Sequence, residues 1–355
     1  MSAAHPAAGA RGVRLDARLE AADLARELRA HTQGEVLFDA ASRGRYATDA
    51  SIYQIEPVGV FVPKTEDDVA NAMRIAAARG VPLLPRGGGS SQCGQAVGAA
   101  LVIDHSKYLR NVTALDPAGG EVEVQPGITL DMLNLQLKPH GLWYPVDVST
   151  SAQATLGGMA GNNSCGSRSI AYGNMVHNVA GITALLADGA ECEFGRFDRA
   201  EGRAWDIGAV VHTLAARERD EIERRWPAVM RRVGGYNLDV FHPRSARPYT
   251  NDGTVNLAHL LVGSEGTLAY FKRLRLKLVP LPAQRVLGVV NFPTFYAAMD
   301  AAQHIVRLGP TAVELVDRTM IELARANPAF RPVIEAALVG APEAILLVEF
   351  AGSEK

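Results

Sequence analysis

Seven consecutive residues, Pro85-Arg86-Gly87-Gly88-Gly89-Ser90-Ser91, combine the features that let a main chain grip an anion. Three glycines without Cβ allow close approach of the backbone to a ligand, and successive N–H groups in such a turn form a concave nest for phosphate oxygens. Arg86 and the hydroxyls of Ser90 and Ser91 add donors at the same point. Alone, such a loop is equally well read as a tight turn between strands. Two familiar phosphate loops are excluded by the residues after the glycines. No Lys-Ser or Lys-Thr pair is present there, as a P-loop requires, and Gln92 stands where the last glycine of GxGxxG would fall. A dinucleotide fold would also lead into a helix, with an acidic residue about twenty residues on. Here the chain leads through Cys93-Gly94-Gln95 toward another strand.

Two further blocks have the same small, polar character. The first is Ser149-Thr150-Ser151-Ala152-Gln153-Ala154-Thr155-Leu156-Gly157-Gly158-Met159-Ala160-Gly161-Asn162-Asn163-Ser164, continuing to Tyr172-Gly173-Asn174. It offers close approach together with hydroxyl and amide hydrogen-bonding groups, and by itself could be a loop capping a helix at Thr155. The second is Gly263-Ser264-Glu265-Gly266-Thr267-Leu268, by itself an ordinary turn before a strand. His105 and His177 have the right chemistry for a proton acceptor, but a single histidine near a strand end is more often structural.

The elements that must position these blocks are visible in the hydrophobic pattern. Leu19, Ala22, Leu24, Ala25 and Leu28 recur at helical spacing between Asp16 and His31. Val58 to Val62 reads as a strand, Thr65-Glu66-Asp67-Asp68 as a helix start, and Gly80 as its stop. Val81 to Leu84 then completes a βαβ unit that ends at the glycine loop. Strands are expected next at 100–103, 112–115 and 121–124, then a short helix at 130–137. Val179 to Leu186 and Glu191 to Phe194 form a hairpin, because Asp188-Gly189 tolerates the positive φ of a tight turn. The charged stretch 210–232 predicts a surface helix, and 268–278 a long strand. Beyond Pro280 and Pro282 come a strand at 284–291, helices at 295–308 and about 317–325, and a strand at 344–350. This is the opening of a second, smaller α+β unit that stops after two strands, so the chain is expected to be cut inside a domain.

Composition narrows the class. With 355 residues, 48% of them hydrophobic, the chain is long enough for one large or two smaller globular domains. Its 36 basic and 38 acidic side chains leave a formal charge of -2, so no global field favours nucleic acid or an anionic membrane and an anion must be held locally. Cys93, Cys165 and Cys192 are widely spaced and suit neither a disulfide framework nor a metal site. No stretch has the length of a membrane span or a signal-peptide core, and the expected location is cytoplasmic, with peripheral membrane association left open.

The three blocks in this order resemble the FAD-binding domain of the PCMH-type, or vanillyl-alcohol-oxidase, flavoprotein family. The resemblance runs from about Val58 to Leu278, and weakly beyond. It implies an α+β fold: a two-subdomain PCMH-type FAD-binding domain followed by the start of a ferredoxin-like α+β cap. The division expected is 1–50 as an N-terminal helical segment, 51–280 as the FAD-binding domain and 281–355 as an incomplete substrate or cap domain. The cofactor implied is FAD, contacted by residues 85 to 91, by Ser149, Thr150, Thr155, Gly158, Asn162, Asn163 and Ser164, and by Gly263, Ser264, Glu265, Gly266 and Thr267. Some relatives attach FAD through a histidine in the glycine loop. Ser90 occupies that place here and its hydroxyl cannot form a histidyl bond, so the resemblance implies non-covalent FAD.

Within the family, Val233-Gly234-Gly235-Tyr236-Asn237-Leu238 and Val313-Glu314-Leu315-Val316-Asp317 are similar to the D-lactate, glycolate and D-2-hydroxyglutarate dehydrogenase branch, and to large members fused to an iron-sulfur module. The activity implied is oxidation of a D-2-hydroxy acid to the 2-oxo acid. A quinone, a cytochrome or an iron-sulfur module would act as electron acceptor in place of a nicotinamide, and the catalytic base is expected outside this chain. Another flavin oxidase or synthase of the same fold, or a flavin-binding fragment without turnover, remain the alternatives.

Overall fold

Asp68 shows how the first layer is assembled. Thr65 accepts a hydrogen bond from the Asp68 N–H and Asp68 accepts one from the Thr65 N–H, a reciprocal cap that starts the helix Glu66–Ala78. The buried Asp68 carboxylate also accepts from Lys64 N at 2.9 Å and from Gln33 N at 2.7 Å. One side chain thus begins a helix and fixes the end of the N-terminal helix Gly9–His31 against it. Leu24 and Leu28 of that helix meet Ile75, Ala76 and Phe61 in one cluster. The computed structural model describes residues 9–244 and 246–352, with side chains from residue 20 onward, so Leu19 lies outside the described side chains.

Among the described residues the strands in chain order are β1 (Glu35–Leu37), β2 (Gly59–Val62), β3 (Leu83–Arg86), β4 (Leu101–Asp104), β5 (Val112–Asp116), β6 (Glu121–Val124), β7 (Leu142–Trp143), β8 (Val179–Leu185), β9 (Glu191–Phe194), β10 (Tyr270–Lys277), β11 (Val279–Pro280), β12 (Gln284–Phe292), β13 (Ala312–Asp317) and β14 (Ala344–Gly352). They form sheets in the orders β1-β2-β4-β3, β5-β6-β10-β8-β9, β11-β7 and β12-β14-β13. In the first sheet β2 and β4 are buried throughout, as expected of parallel strands covered on both faces.

The predicted βαβ unit is present with a difference: β2 and β3 are both parallel to β4, which lies between them. Leaving that gap brings β3, and the glycine loop after it, to the edge of the sheet. The segment before residue 51 is not helical alone, since β1 pairs with β2 as an antiparallel edge strand.

The second sheet is antiparallel and its pattern is read most easily on β10. Leu274 and Leu276 point into the core while Arg273 and Arg275 face outward toward Glu123 and Glu121 of β6. The strand begins at Tyr270, two residues later than the hydrophobic run predicts, because Gly266 has a φ of 72° and keeps the preceding residues in a turn. The hairpin of β8 and β9 is as expected, with Gly189 at φ 84°. The charged stretch is two helices, Gly202–Arg217 and Arg219–Arg225, rather than one over 210–232. The residue before Pro227 is driven out of helical geometry, so the second ends at Arg225.

The C-terminal unit has three strands instead of the two predicted. The third is β13, Ala312–Asp317, which the sequence marks only as a family-like segment and which pairs along β14. The order β12-β14-β13, with helix Phe295–Ile305 leading from β12 toward β13 in sequence, is a split βαβ of the ferredoxin-like type. Ala298 packs there on Ala344, Leu346 and Val348. No helix among the described residues is long and apolar enough to cross a membrane.

Candidate functional site

The glycine loop emerges from β3 and lies directly on the second polar block. A Cβ on Gly87 would fall 2.1 Å from Thr155 Oγ1, one on Gly88 2.1 Å from the Gln153 carbonyl oxygen, and Gly89 sits at φ 65° over the Arg86 guanidinium. Only glycine fits this approach. Thr155 in turn accepts from Gly158 N at 3.3 Å and starts the short helix Leu156–Gly161. The third block closes the far end of that helix: Gly263 N donates to Ala160 O and Glu265 N to Gly161 O, both at 2.9 Å. Glu265 reaches this position with a φ of 53°, and Gly266 at φ 72° packs on Pro85.

Between these blocks is a cleft of about 300 Å³. It brings together all of 85 to 91, with Ser149, Thr150, Thr155, Gly158, Asn162, Ser164, Glu265 and Gly266. Among the described residues, the main-chain N–H groups of Gly88, Gly89, Ser90 and Ser91 and the hydroxyls of Ser90, Ser149 and Thr150 donate to no protein acceptor. Unspent donors lining a concavity are the chemistry of an anion site. Ser91 Oγ donates to Gln95 Oε1, and Ser164 Oγ to Asn162 Oδ1 at 2.6 Å, which leaves the Asn162 amide N–H groups free.

Five predicted contacts sit differently. The Arg86 side chain does not project into the cleft as a donor; it runs beneath the loop and donates to the carbonyls of Ala96, Thr48 and Tyr46 at 2.8, 2.8 and 3.3 Å. Its charge supports the loop from below. Asn163 is buried with φ 53°; its Oδ1 accepts from Val176 N at 3.0 Å, holding the wall from behind. Gly263 and Ser264 are covered by the same wall, and Thr267 opens on a neighbouring cavity. That second cavity, about 130 Å³, is apolar, lined by Met73, Leu83, Ile103 and Leu185, and shares Pro85, Gly266 and Tyr270 with the cleft.

The two histidines separate clearly. His105 lines the cleft beside Tyr270, ring centroids 5.9 Å apart, with neither ring nitrogen bonded to protein; burial pushes its pKa down to about 4 and keeps it neutral. His177 is outside the cleft, its Nδ1 accepts from Asn174 N at 3.0 Å, and burial pushes it to about 4, the nearby Arg247 acting in the same direction. It is a capping residue. Burial also raises the Glu265 carboxyl above the usual range.

Sequence reasoning missed Gln95 and Tyr270, though each lies a few residues beyond one of the three blocks. It also missed the buried brace behind the third block. There Arg232 Nη2 donates to Asp239 Oδ1 at 2.7 Å, Tyr249 Oη donates to the same carboxylate at 2.9 Å, and Asn237 Nδ2 donates to Val262 O at 3.0 Å. Residues scattered over 232–262 leave no local signal.

Residues 57–195 match the FAD binding domain family, and residues 281–355 match the C-terminal domain of FAD linked oxidases. The chain is 32% identical over 342 residues to D-2-hydroxyglutarate dehydrogenase of Escherichia coli, covering 91% of this chain and 32% of that protein. It is 27% identical over 273 residues to the mitochondrial D-lactate dehydrogenase [cytochrome] of Kluyveromyces lactis, covering 75% of this chain and 38% of that one. The solved structure of an alkyldihydroxyacetonephosphate synthase superposes with a TM-score of 0.67 at 19% identity, over 93% of this chain and 56% of that chain, which shows a shared fold. The chain spans about a third of the length of the D-2-hydroxyglutarate dehydrogenases it matches.

Proposed function

We propose, for a chain that belongs to the PCMH-type FAD-linked oxidases, that it holds FAD non-covalently in the cleft and serves the oxidation of a D-2-hydroxy acid, of the D-lactate or D-2-hydroxyglutarate type, to its 2-oxo acid. The observation that carries the reading is the convergence of three separated polar blocks on one cleft with unspent N–H and hydroxyl donors. The N–H groups of 88 to 91 would receive the pyrophosphate, the Arg86 charge beneath them stabilising the anion. The apolar side cavity beside Gly266 suits the adenine, and the Ser149 to Ser164 wall the ribityl and ring polar atoms. FAD, when bound, supplies the acceptor for the hydride leaving the substrate α-carbon.

The protein's part is to orient that ring and exclude water. Ser90 leaves the loop without the histidine that a covalent bond would need. We divide the chain at 50 and 280, assign 281–355 to substrate handling, and place the protein in the cytoplasm with a quinone, cytochrome or iron-sulfur module as electron acceptor. The similarity to a cytochrome-linked D-lactate dehydrogenase supports a carrier of this kind. Absorbance of the purified chain tests the reading: flavin bands that stay in the supernatant after denaturation, and bleach with D-lactate or D-2-hydroxyglutarate before it, support it. Folded protein that takes up no FAD overturns it, and a bound flavin that no hydroxy acid reduces limits this chain to cofactor binding.

A further inference from the structure

We propose that Arg168 is a positioning residue that ties the C-terminal sheet to both polar walls of the cleft, so that docking of residues 281–352 and shaping of the cofactor site are one event. The inference rests on reading the cleft as an FAD site. Arg168 Nε and Nη2 donate to Glu349 Oε1 and Oε2 at 2.7 and 2.8 Å, a two-pronged pair with the central strand β14. Arg168 Nη1 donates to Asp147 Oδ2 at 3.2 Å. The three side chains retain only 15 to 21% exposure, so water screens the pairs weakly.

Each end of this network is joined to a cleft wall by a very short length of chain. Asp147 immediately precedes Val148, Ser149 and Thr150, and Arg168 comes three residues after Cys165, all of which line the cleft. The two loops are also locked to each other. Asp147 accepts from Arg168 N at 3.1 Å and from Ser167 Oγ at 2.6 Å, and a Cβ on Gly166 would fall 1.4 Å from the Asp147 carbonyl oxygen. Trp143 backs the network, with the guanidinium carbons of Arg168 and Arg285 at 5.7 and 5.6 Å from its ring. A pull on Glu349 is therefore transmitted to two loops that each carry cofactor-facing groups. Glu349 itself touches no part of the cleft.

That separation makes E349Q the decisive variant, with R168M and the double variant beside it, all in the full chain. A residue that merely glues two domains changes docking alone. The expected result is that E349Q speeds protease cleavage between 281 and 284, weakens FAD binding about tenfold, and alters the visible circular dichroism of the bound flavin. R168M has at least this effect, because it also removes the bond to Asp147, and the double variant adds little to R168M, in which the Glu349 pair is already lost. R168K, which keeps the charge without the fork, falls between.

FAD affinity within about twofold of wild type and an unchanged flavin spectrum in E349Q overturn the proposal, whether or not cleavage rises. Should the wild-type chain bind no FAD, the reading of the cleft fails separately. Hydrogen exchange of the apo chain then decides the coupling: faster exchange at 148–150 and 161–165 in E349Q supports it, and unchanged exchange overturns it.

Discussion

The cofactor half and the C-terminal unit bury their apolar residues to different degrees. From β2 to β10 large side chains form the core: Phe61, Ile103, Tyr144 and Phe194 are essentially inaccessible, and even polar groups such as Asp239 and His259 are fully buried. From β12 onward the buried apolar side chains are fewer, Ala298, Ala312, Ile321, Ala344, Ile345, Leu346 and Val348, while Val286, Leu287, Met320, Leu323 and Val333 stay more than half exposed. The first region is shaped by contacts that admit no extra atom. The second is a thin sheet whose outer helices present apolar surface, and it depends on docking for its place. Precision and tolerance should therefore divide between them at the level of single substitutions.

The largest contrast is expected between two glycines. Gly88→Ala drives a methyl into the Gln153 carbonyl, which is backbone and cannot yield, so titration of flavin fluorescence should show loss of FAD binding. Gly288→Ala on β12 meets only Val348 O at 3.7 Å and should leave binding and melting unchanged. An ion-pair contrast comes next. Arg232→Met strands the buried Asp239 and should cost about 3–5 kcal/mol in denaturant unfolding. Arg318→Met, at an exposed pair with Glu322, should have no measurable effect. If the two arginines behave alike, the division is wrong.

Within the C-terminal unit, Leu346→Ala should cost about 2–4 kcal/mol, seen as faster hydrogen exchange along β12 to β14 while exchange in β5 to β10 is unchanged. Per residue, the smallest effect is acid sensitivity. Burial pushes His105 to about 4 and His259 to about 3, so the unfolded chain binds their protons first. Stability is complete above about pH 6.5 and declines as pH falls toward the folded values, by about 2 kcal/mol per imidazole at pH 5. Glu66 and Glu349 are held below the usual carboxylate range and add to the loss only at lower pH. Melting curves from pH 7 to 5 should show the decline, and His259→Phe should flatten it.

The same division of local from distant causes separates the legible parts of the molecule from the hidden ones. The glycine loop, the Thr65 cap and the Asp188-Gly189 hairpin are legible in sequence because each acts on its own neighbours. Asn163 has the chemistry of a cofactor contact, and only the fold reveals that its amide is committed to Val176 N. Arg86 has the chemistry of a ligand donor, but its length lets it reach three carbonyls beneath the loop instead. β13 escapes notice because its run gains its identity from pairing with β14, about thirty residues away. The Arg168 network joins positions about 180 residues apart, beyond any pattern of spacing.

The order β12-β14-β13 has a consequence for biosynthesis. Both outer strands pair with β14 and not with each other, so on the ribosome neither has a partner until the last of the three has left the exit tunnel. By then every strand of the first two sheets has been made. The nucleotide-binding body can therefore fold early, while the last sheet assembles in a single late step that also delivers Glu349. The contact between Arg168 and Glu349 would form only once that late step is complete.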